Sequence, residues 1–332
     1  MKTSALTTQI RTSIVLLAAV LVTVAAVATP AQAAFPGTPG PIAYSHGFAS
    51  ETEDTGGIFA HGPKRSQAAR PLTSDGDDGT PSYSANGRMI AFSSNRDAGL
   101  PNGNFHIYVM SSDGSGVRAL TSDESRDFDP SFSPDGRQVV FDRIVGSGRL
   151  RLFIVNVDGS GLRQLTEGPY NDYEPTFSPS GRWIAFTSNR DHDVRTDRSD
   201  IFSMRPDGSH LRVLIDGPRN ESEPDISPDG RSIAFTSSRE HGPNIYVANA
   251  AGGQVRALTH SRHDCFRSVC YLSPAWAPDG KHIAFISSGR YSSDLEVMRP
   301  DGSHRTTFAE AGTEEEGYGS SIGAPTWGSR PR

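Results

Sequence analysis

The chain has 332 residues, with 32 lysines and arginines against 38 aspartates and glutamates, a formal charge of −6. That balance excludes a general nucleic-acid binder, which needs a basic surface to release condensed counterions. The length could hold two domains, but one repeat array fills it, so a single domain is expected.

In chain order, residues 1–33 form a separate object. Lys2 and Arg11 give a positive start, and Ile14 to Ala28 is a mostly apolar run. Thr29-Pro30 breaks it, and Ala31-Gln32-Ala33 offers a small-residue cleavage site. This order reads as a secretory signal peptide, cleaved after Ala33. The run is short for a membrane span of about 20 residues. No cysteine stands near the site to take a lipid, and there is no twin-arginine pair. The remaining chain, 34–332, loses two basic residues and is more acidic. It is expected outside the cytoplasm, periplasmic, at the envelope or secreted, with no further membrane span.

The body of the chain repeats one pattern. PSYSANGRMIAFSSNR starts at Pro81, PSFSPDGRQVVFDR at Pro130, PTFSPSGRWIAFTSNR at Pro175, PDISPDGRSIAFTSSR at Pro224 and PAWAPDGKHIAFISSGR at Pro274. The interval of roughly 45 to 51 residues suits four-stranded propeller blades. In the Pro130 copy, Pro130 to Ser133 reads as a first strand and Pro134-Asp135-Gly136 as a turn. Gln138 to Phe141, Leu152 to Val157 and Leu162 to Thr166 read as strands two to four, with Asp158 to Gly161 as a second turn. The other copies follow, with fourth strands VRALT, LRVLI, VRALT and RTTFA.

The two ends complete each other. PIAYSH, GIFAHG and ARPLT, within residues 41–73, read as strands two to four of a blade that lacks its first. Ala324-Pro325-Thr326-Trp327 reads as a first strand that lacks the other three. Pairing them closes a ring of six blades and removes the exposed edges. The expected fold class is therefore all-β, a six-bladed β-propeller.

The quoted pattern, Pro-x-aromatic-Ser-Pro-Asp-Gly-Arg, then Ile-Ala-Phe, a Tyr-Val-type strand, Asp-Gly-Ser and Arg-x-Leu-Thr, resembles the TolB-type β-propeller repeat, a relative of WD repeats. The resemblance covers nearly all of 34–332. It implies an extracytoplasmic binding protein. In TolB itself a smaller domain precedes the propeller; blade strands here are expected so soon after residue 33 that the resemblance is confined to the propeller.

Loops joining strands two to three, and each blade to the next, share one face; the two tight turns of each blade share the other. Function is expected on the loop face, around the central channel. An acidic signature precedes the prolines: Asp127 and Asp129, Asp172 and Glu174, Glu221 and Glu223, with Asp77-Asp78 slightly displaced. These are expected to form an acidic rim. Three readings stay open: pairing with the nearby Arg96, Arg143, Arg190 and Arg239; recognition of a basic or polar partner; or a hard cation such as Ca²⁺. No other cofactor is expected. Phe128, Tyr170, Tyr173, Tyr271 and Tyr318 could stack on a sugar or anchor a peptide.

Cys265 and Cys270 are the only cysteines. Outside the cytoplasm a disulfide is expected; a zinc site with His260, His263 and Asp264 is the rival. Gly319 to Gly323 matches G-x-S-x-G around Ser321, but a nucleophile elbow needs a strand before and a helix after. The histidines His46, His61, His106, His192, His241, His260 and His263 could reach the loop face, but no spacing singles out a metal set. The expected function is a non-catalytic, monomeric scaffold binding a protein or peptide. The alternative is a glycan-binding or glycan-active propeller.

Overall fold

The computed structural model describes residues 37–49, 54–96, 104–146, 148–191, 198–240, 242–261, 269–289, 293–310 and 320–330. The signal segment, Cys265 and Tyr318 lie outside them. Six antiparallel sheets are arranged as blades. Blades 1 to 5 run in order through residues 78–119, 126–164, 172–215, 221–257 and 270–309. Blade 6 is composite: Ser320–Ile322 and Thr326–Ser329 both pair with Pro39–Ala49, which pairs with Asp54–His61 and then Ala69–Pro71. The expected ring closure is thus present. No helix among the described residues is long and apolar enough to cross a membrane.

The repeated sequence explains the blade. Its second strand is buried on both faces, so it reads as the continuous run Ile-Ala-Phe rather than an alternation. The phenylalanines Phe92, Phe141, Phe186, Phe235 and Phe285 are fully buried. Six apolar clusters fill the spaces between neighbouring blades. One joins Ile107 and Val109 of blade 1 to Phe132, Val139 and Phe141 of blade 2; another joins Ile42 and Trp327 of blade 6 to Leu295 and Val297 of blade 5. Burial of each such side chain stabilises by about 1.5–3 kcal/mol.

The turn after the first strand is built by its own residues. Asp135 Oδ1 accepts from Ser133 Oγ (2.6 Å) and Arg137 N (3.0 Å), while Gly136 takes φ +68°. At the equivalent Gly87 (φ +67°) a Cβ would also stand 1.9 Å from the Ser329 carbonyl oxygen, where blade 1 meets the C-terminal strand. That seam is hydrogen-bonded as well: Ser329 Oγ donates to Ala85 O (2.9 Å) and Tyr83 N to Thr326 Oγ1 (3.3 Å).

Two expectations need correction. The first strands begin earlier than the prolines: Arg126–Phe132 contains Pro130, and the acidic signature lies inside the strand rather than before it. The fourth strands are also shorter, as in Arg118–Ala119 and Arg163–Gln164. Their threonines leave the ladder to serve it by side chain: Thr121 Oγ1 accepts from Ile107 N (2.9 Å), Thr166 Oγ1 from Leu152 N (3.1 Å) and Thr259 Oγ1 from Ile245 N (2.9 Å).

Candidate functional site

Each first strand of blades 1 to 5 carries a register shift around its proline, as between Phe128 and Ser131. Proline lacks a ladder donor and is accommodated at such bulges. The residue before it sits in the left-handed region: Thr80, Asp129, Glu174, Glu223 and Ser273 have φ between 44° and 52°. That conformation costs about 1–3 kcal/mol for a non-glycine residue and persists only where neighbours impose it. For three of these residues a carboxylate of the preceding blade does so. Glu174 N donates to Asp142 Oδ1 (3.1 Å), Glu223 N to Glu174 Oε2 (2.9 Å) and Ser273 N to Glu223 Oε2 (2.8 Å). The bulge turns each N–H out of its own ladder towards a carboxylate of the preceding blade.

The bulge therefore divides the six expected rim carboxylates into two rows. Asp127, Asp172 and Glu221, with Asp78, are buried within the strands. They do not line the channel, which corrects the single-rim reading. Each meets an arginine: Arg96–Asp78 at 2.9 Å, Arg143–Asp127 and Arg190–Asp172 at 2.6 Å, Arg239–Glu221 at 3.0 Å. Arg143 holds Asp127 in a fork and also reaches Asp123. Each guanidinium lies over a cross-strand pair of rings, such as Phe92 and Tyr108 for Arg96 or Phe186 and Phe202 for Arg190. Burial works against the Arg143 charge, yet Asp127 and Asp123 hold its pKa above the ordinary value. Burial pushes Glu221 up to about 7, against the pull of Ser237 and Arg239.

Asp129, Glu174 and Glu223 form the second row and line a central cavity of about 240 Å³. Asp225, one residue past Pro224, joins them, and its Oδ2 accepts from Trp276 N (2.6 Å). Asp142 stands behind Asp129 on the second strand of blade 2 and is itself buried. Blades 5 and 6 supply Ser273, Trp276, Ala324 and Trp327 on the other side. No lysine, arginine or histidine is among the described lining residues. Burial, then neighbouring carboxylates, raise two of these groups: Asp129 to about 6 and Glu174 to about 8. Burial alone carries Asp225 up to about 7. Carboxylates raised in this way hold protons more readily than ordinary ones, and a cation entering the channel would displace them.

Among the described residues the group whose ligand atoms lie within 4.8 Å of one another is His106, Asp123 and Asp127, and Arg143 already bridges its two carboxylates. The channel carboxylates do not converge that closely, so Ca²⁺ there would draw much of its coordination from water.

The remaining expected residues take other places. Phe128 packs on Phe105 (5.3 Å between centroids), Tyr170 lies under Arg190 and Tyr271 under Arg305. Tyr173 is in the first strand of blade 3. His106 opens a third strand at the loop face, and His46 meets Phe59 edge-on near the same end. His61 closes its strand at the opposite, turn face, against Phe308. His260 is exposed. His192, His241 and His263 lie outside the described residues. Cys270 is buried and disulfide-bonded, while Cys265 is outside the described residues. Ser321 lies in Ser320–Ile322, paired with Gly47 and followed by another strand, not a helix.

The channel tryptophans were the missed residues. Their signal was the Pro-x-aromatic column, in which Trp276 and Trp327 stand where other copies have Phe132 and Phe177.

Comparison with known proteins bears on the fold. The TolB β-propeller domain family matches residues 192–322. No curated protein matches the chain. TolB from Acinetobacter baumannii superposes with a TM-score of 0.68 at 19% identity, over 87% of this chain; the chain spans 66% of that protein's length. A protein assigned as TolB from Agrobacterium tumefaciens gives 0.62 at 19% identity, over 85% of this chain and 98% of its own. A chain of a nidogen–laminin complex gives 0.62 at 12% identity, over 86% and 98%. Residues 192–322 thus match the TolB β-propeller domain family, and the described chain as a whole folds as a closed six-bladed β-propeller.

Proposed function

We propose that the chain is an exported, non-catalytic binding scaffold whose central channel receives a cationic segment of a protein or peptide partner. The observation that carries this is the asymmetry of the channel. Carboxylates of blades 2 to 4 face it with no basic residue in the lining, and two tryptophans stand on the other side. A lysine or arginine side chain, or an N-terminal amine, supplies the positive charge these carboxylates call for. The export reading rests on residues 1–33 and on the resemblance to TolB.

The test is calorimetric titration of lysine- and arginine-containing peptides into the wild type and a Glu174→Gln/Glu223→Gln variant, with and without EDTA. Glutamine keeps an acceptor oxygen for the next blade's N–H and removes the charge. Binding should weaken about tenfold or more in the variant, as expected for lost charge-assisted contacts. Equal binding by both proteins would overturn the reading. Oligosaccharide binding that survives in the variant would instead favour the glycan alternative. Binding abolished by EDTA and restored by Ca²⁺ would assign the row to a cation.

A further inference from the structure

The turn face carries a charge opposite to that of the whole chain. The residue after the first turn of blades 1 to 5 is basic and exposed: Arg88, Arg137, Arg182, Arg231 and Lys281. Each outermost strand of blades 1 to 4 adds an exposed arginine beside the second turn: Arg118, Arg163, Arg212 and Arg256. The acids of this face are mostly turn aspartates whose oxygens are folded onto their own turns. Asp158 Oδ1 accepts from Ser160 N (2.9 Å) and Oγ (2.6 Å), and Asp207 Oδ1 accepts from Ser209 in the same way. Arg118, Arg163 and Arg256 each donate to a carbonyl of the following blade, which holds their exposed guanidinium groups along the same face.

Blades 2 and 3 add two further features. Among the described residues the exposed large apolar side chains are Leu162, Leu211, Val213 and Val269, and the first three belong to the second turns and outer strands of these two blades. The two turns form one surface, because Arg163 of blade 2 donates to Pro206 O of blade 3 (2.6 Å). A cavity of about 250 Å³ opens between the same blades, lined by Ser133, Gln138, Phe177 and Pro206 among others.

We propose that this face docks on an anionic lipid bilayer, with blades 2 and 3 leading. Basic side chains held in one plane gain from the surface potential of anionic headgroups. Exposed apolar side chains rimmed by cations enter the interfacial layer. A soluble polyanion would satisfy the arginines yet leave Leu162 and Leu211 in water, so the leucines select lipid. The inference uses the face opposite the loops and does not depend on what the channel binds.

The test is co-sedimentation of the processed chain, 34–332, which contains every strand of the ring. Vesicles of phosphatidylcholine are compared with vesicles of equal parts phosphatidylcholine and phosphatidylglycerol. Binding should occur on the anionic vesicles and fall with salt. An Arg137→Gln/Arg182→Gln/Arg212→Gln variant should bind about a hundredfold less well, about fivefold per charge. A Leu162→Ser/Leu211→Ser variant should lose at least about fivefold. All these positions are exposed, and an unchanged thermal midpoint checks the fold of each variant. Equal binding to neutral vesicles, or wild-type binding by either variant, would overturn the proposal. Capture of polyglutamate without vesicle binding would overturn it in favour of a soluble acidic polymer.

Discussion

Asp172 and Glu174 stand two residues apart on one strand, and they do different work. Asp172 is buried against Arg190, which rests on the rings of Phe186 and Phe202. Glu174 lies past the start of the bulge, faces the channel, and bonds Thr187 Oγ1 and the Glu223 N–H, with no cation beside it in the lining. The difference shows that residue type does not decide the role of a carboxylate here. Its position relative to the bulge does, because the bulge rotates one row into the blade and the next towards the axis. The first row is neutralised within its blade. The second row keeps a charge deficit that only a proton or an incoming cation can meet.

The largest effect that could break this comparison comes from Asp172→Ala. It strands Arg190 without its partner and should cost about 3–5 kcal/mol, as for other broken buried pairs; denaturant unfolding measures it. A loss below about 1 kcal/mol would mean the inner pairs are as weak as surface ones. Glu174→Ala should cost about 1–3 kcal/mol through the unsatisfied Glu223 N–H and Thr187 hydroxyl. Glu174→Gln keeps an acceptor, and its melting temperature at pH 8.5 should equal or exceed the wild type. A large fall would place Glu174 with the paired row.

A smaller effect sharpens the electrostatic side. The folded-state values of Asp129, Asp225 and Glu174 lie at about 6, 7 and 8, above the ordinary range of an unfolded chain. Groups raised on folding contribute stability that is complete below that range and is lost as the pH climbs through the folded values. Melting temperature should therefore fall between about pH 5 and pH 8.5, and the slope should flatten in Glu174→Gln and Asp225→Asn. For the same reason a cationic ligand should bind more tightly at pH 8.5 than at pH 6, with protons released on binding. A stability profile that rises across this window would contradict the proton-holding channel carboxylates.

The fold was legible because each level of the sequence agreed with the others. Proline opened each copy, Asp-Gly set its turns, and Ile-Ala-Phe marked a strand buried on both faces. The orphan strands at the two ends supplied the closure. The site was only half legible. Asp142 and Asp225 are single departures from their columns: Ser93, Thr187 and Thr236 stand where Asp142 does, and Ser131 and Thr176 where Asp225 does. Read column by column, the copies would have exposed both. The bulge could not be read this way. A left-handed residue before proline runs against local preference, and the neighbouring blade's carboxylate that imposes it is distant in sequence. Arg143 pairs as expected although its spacing departs from the others: it ends its strand motif two residues before Arg190 and Arg239 do in theirs, and lies directly opposite Asp127 in the register.

The composite blade has a consequence for the order of assembly. Five blades are local hairpin stacks, but the pairing of Pro39 with Ser329 joins positions near the two ends of the chain. Contacts of such sequence separation form late. A chain whose synthesis stops before Thr326 would hold five sound blades and one with much of its inner edge unpaired, ready to recruit a strand from elsewhere. The last turn of the ring thus acts as a proofreading step, in which only a chain translated to its final strand can hide its own edge.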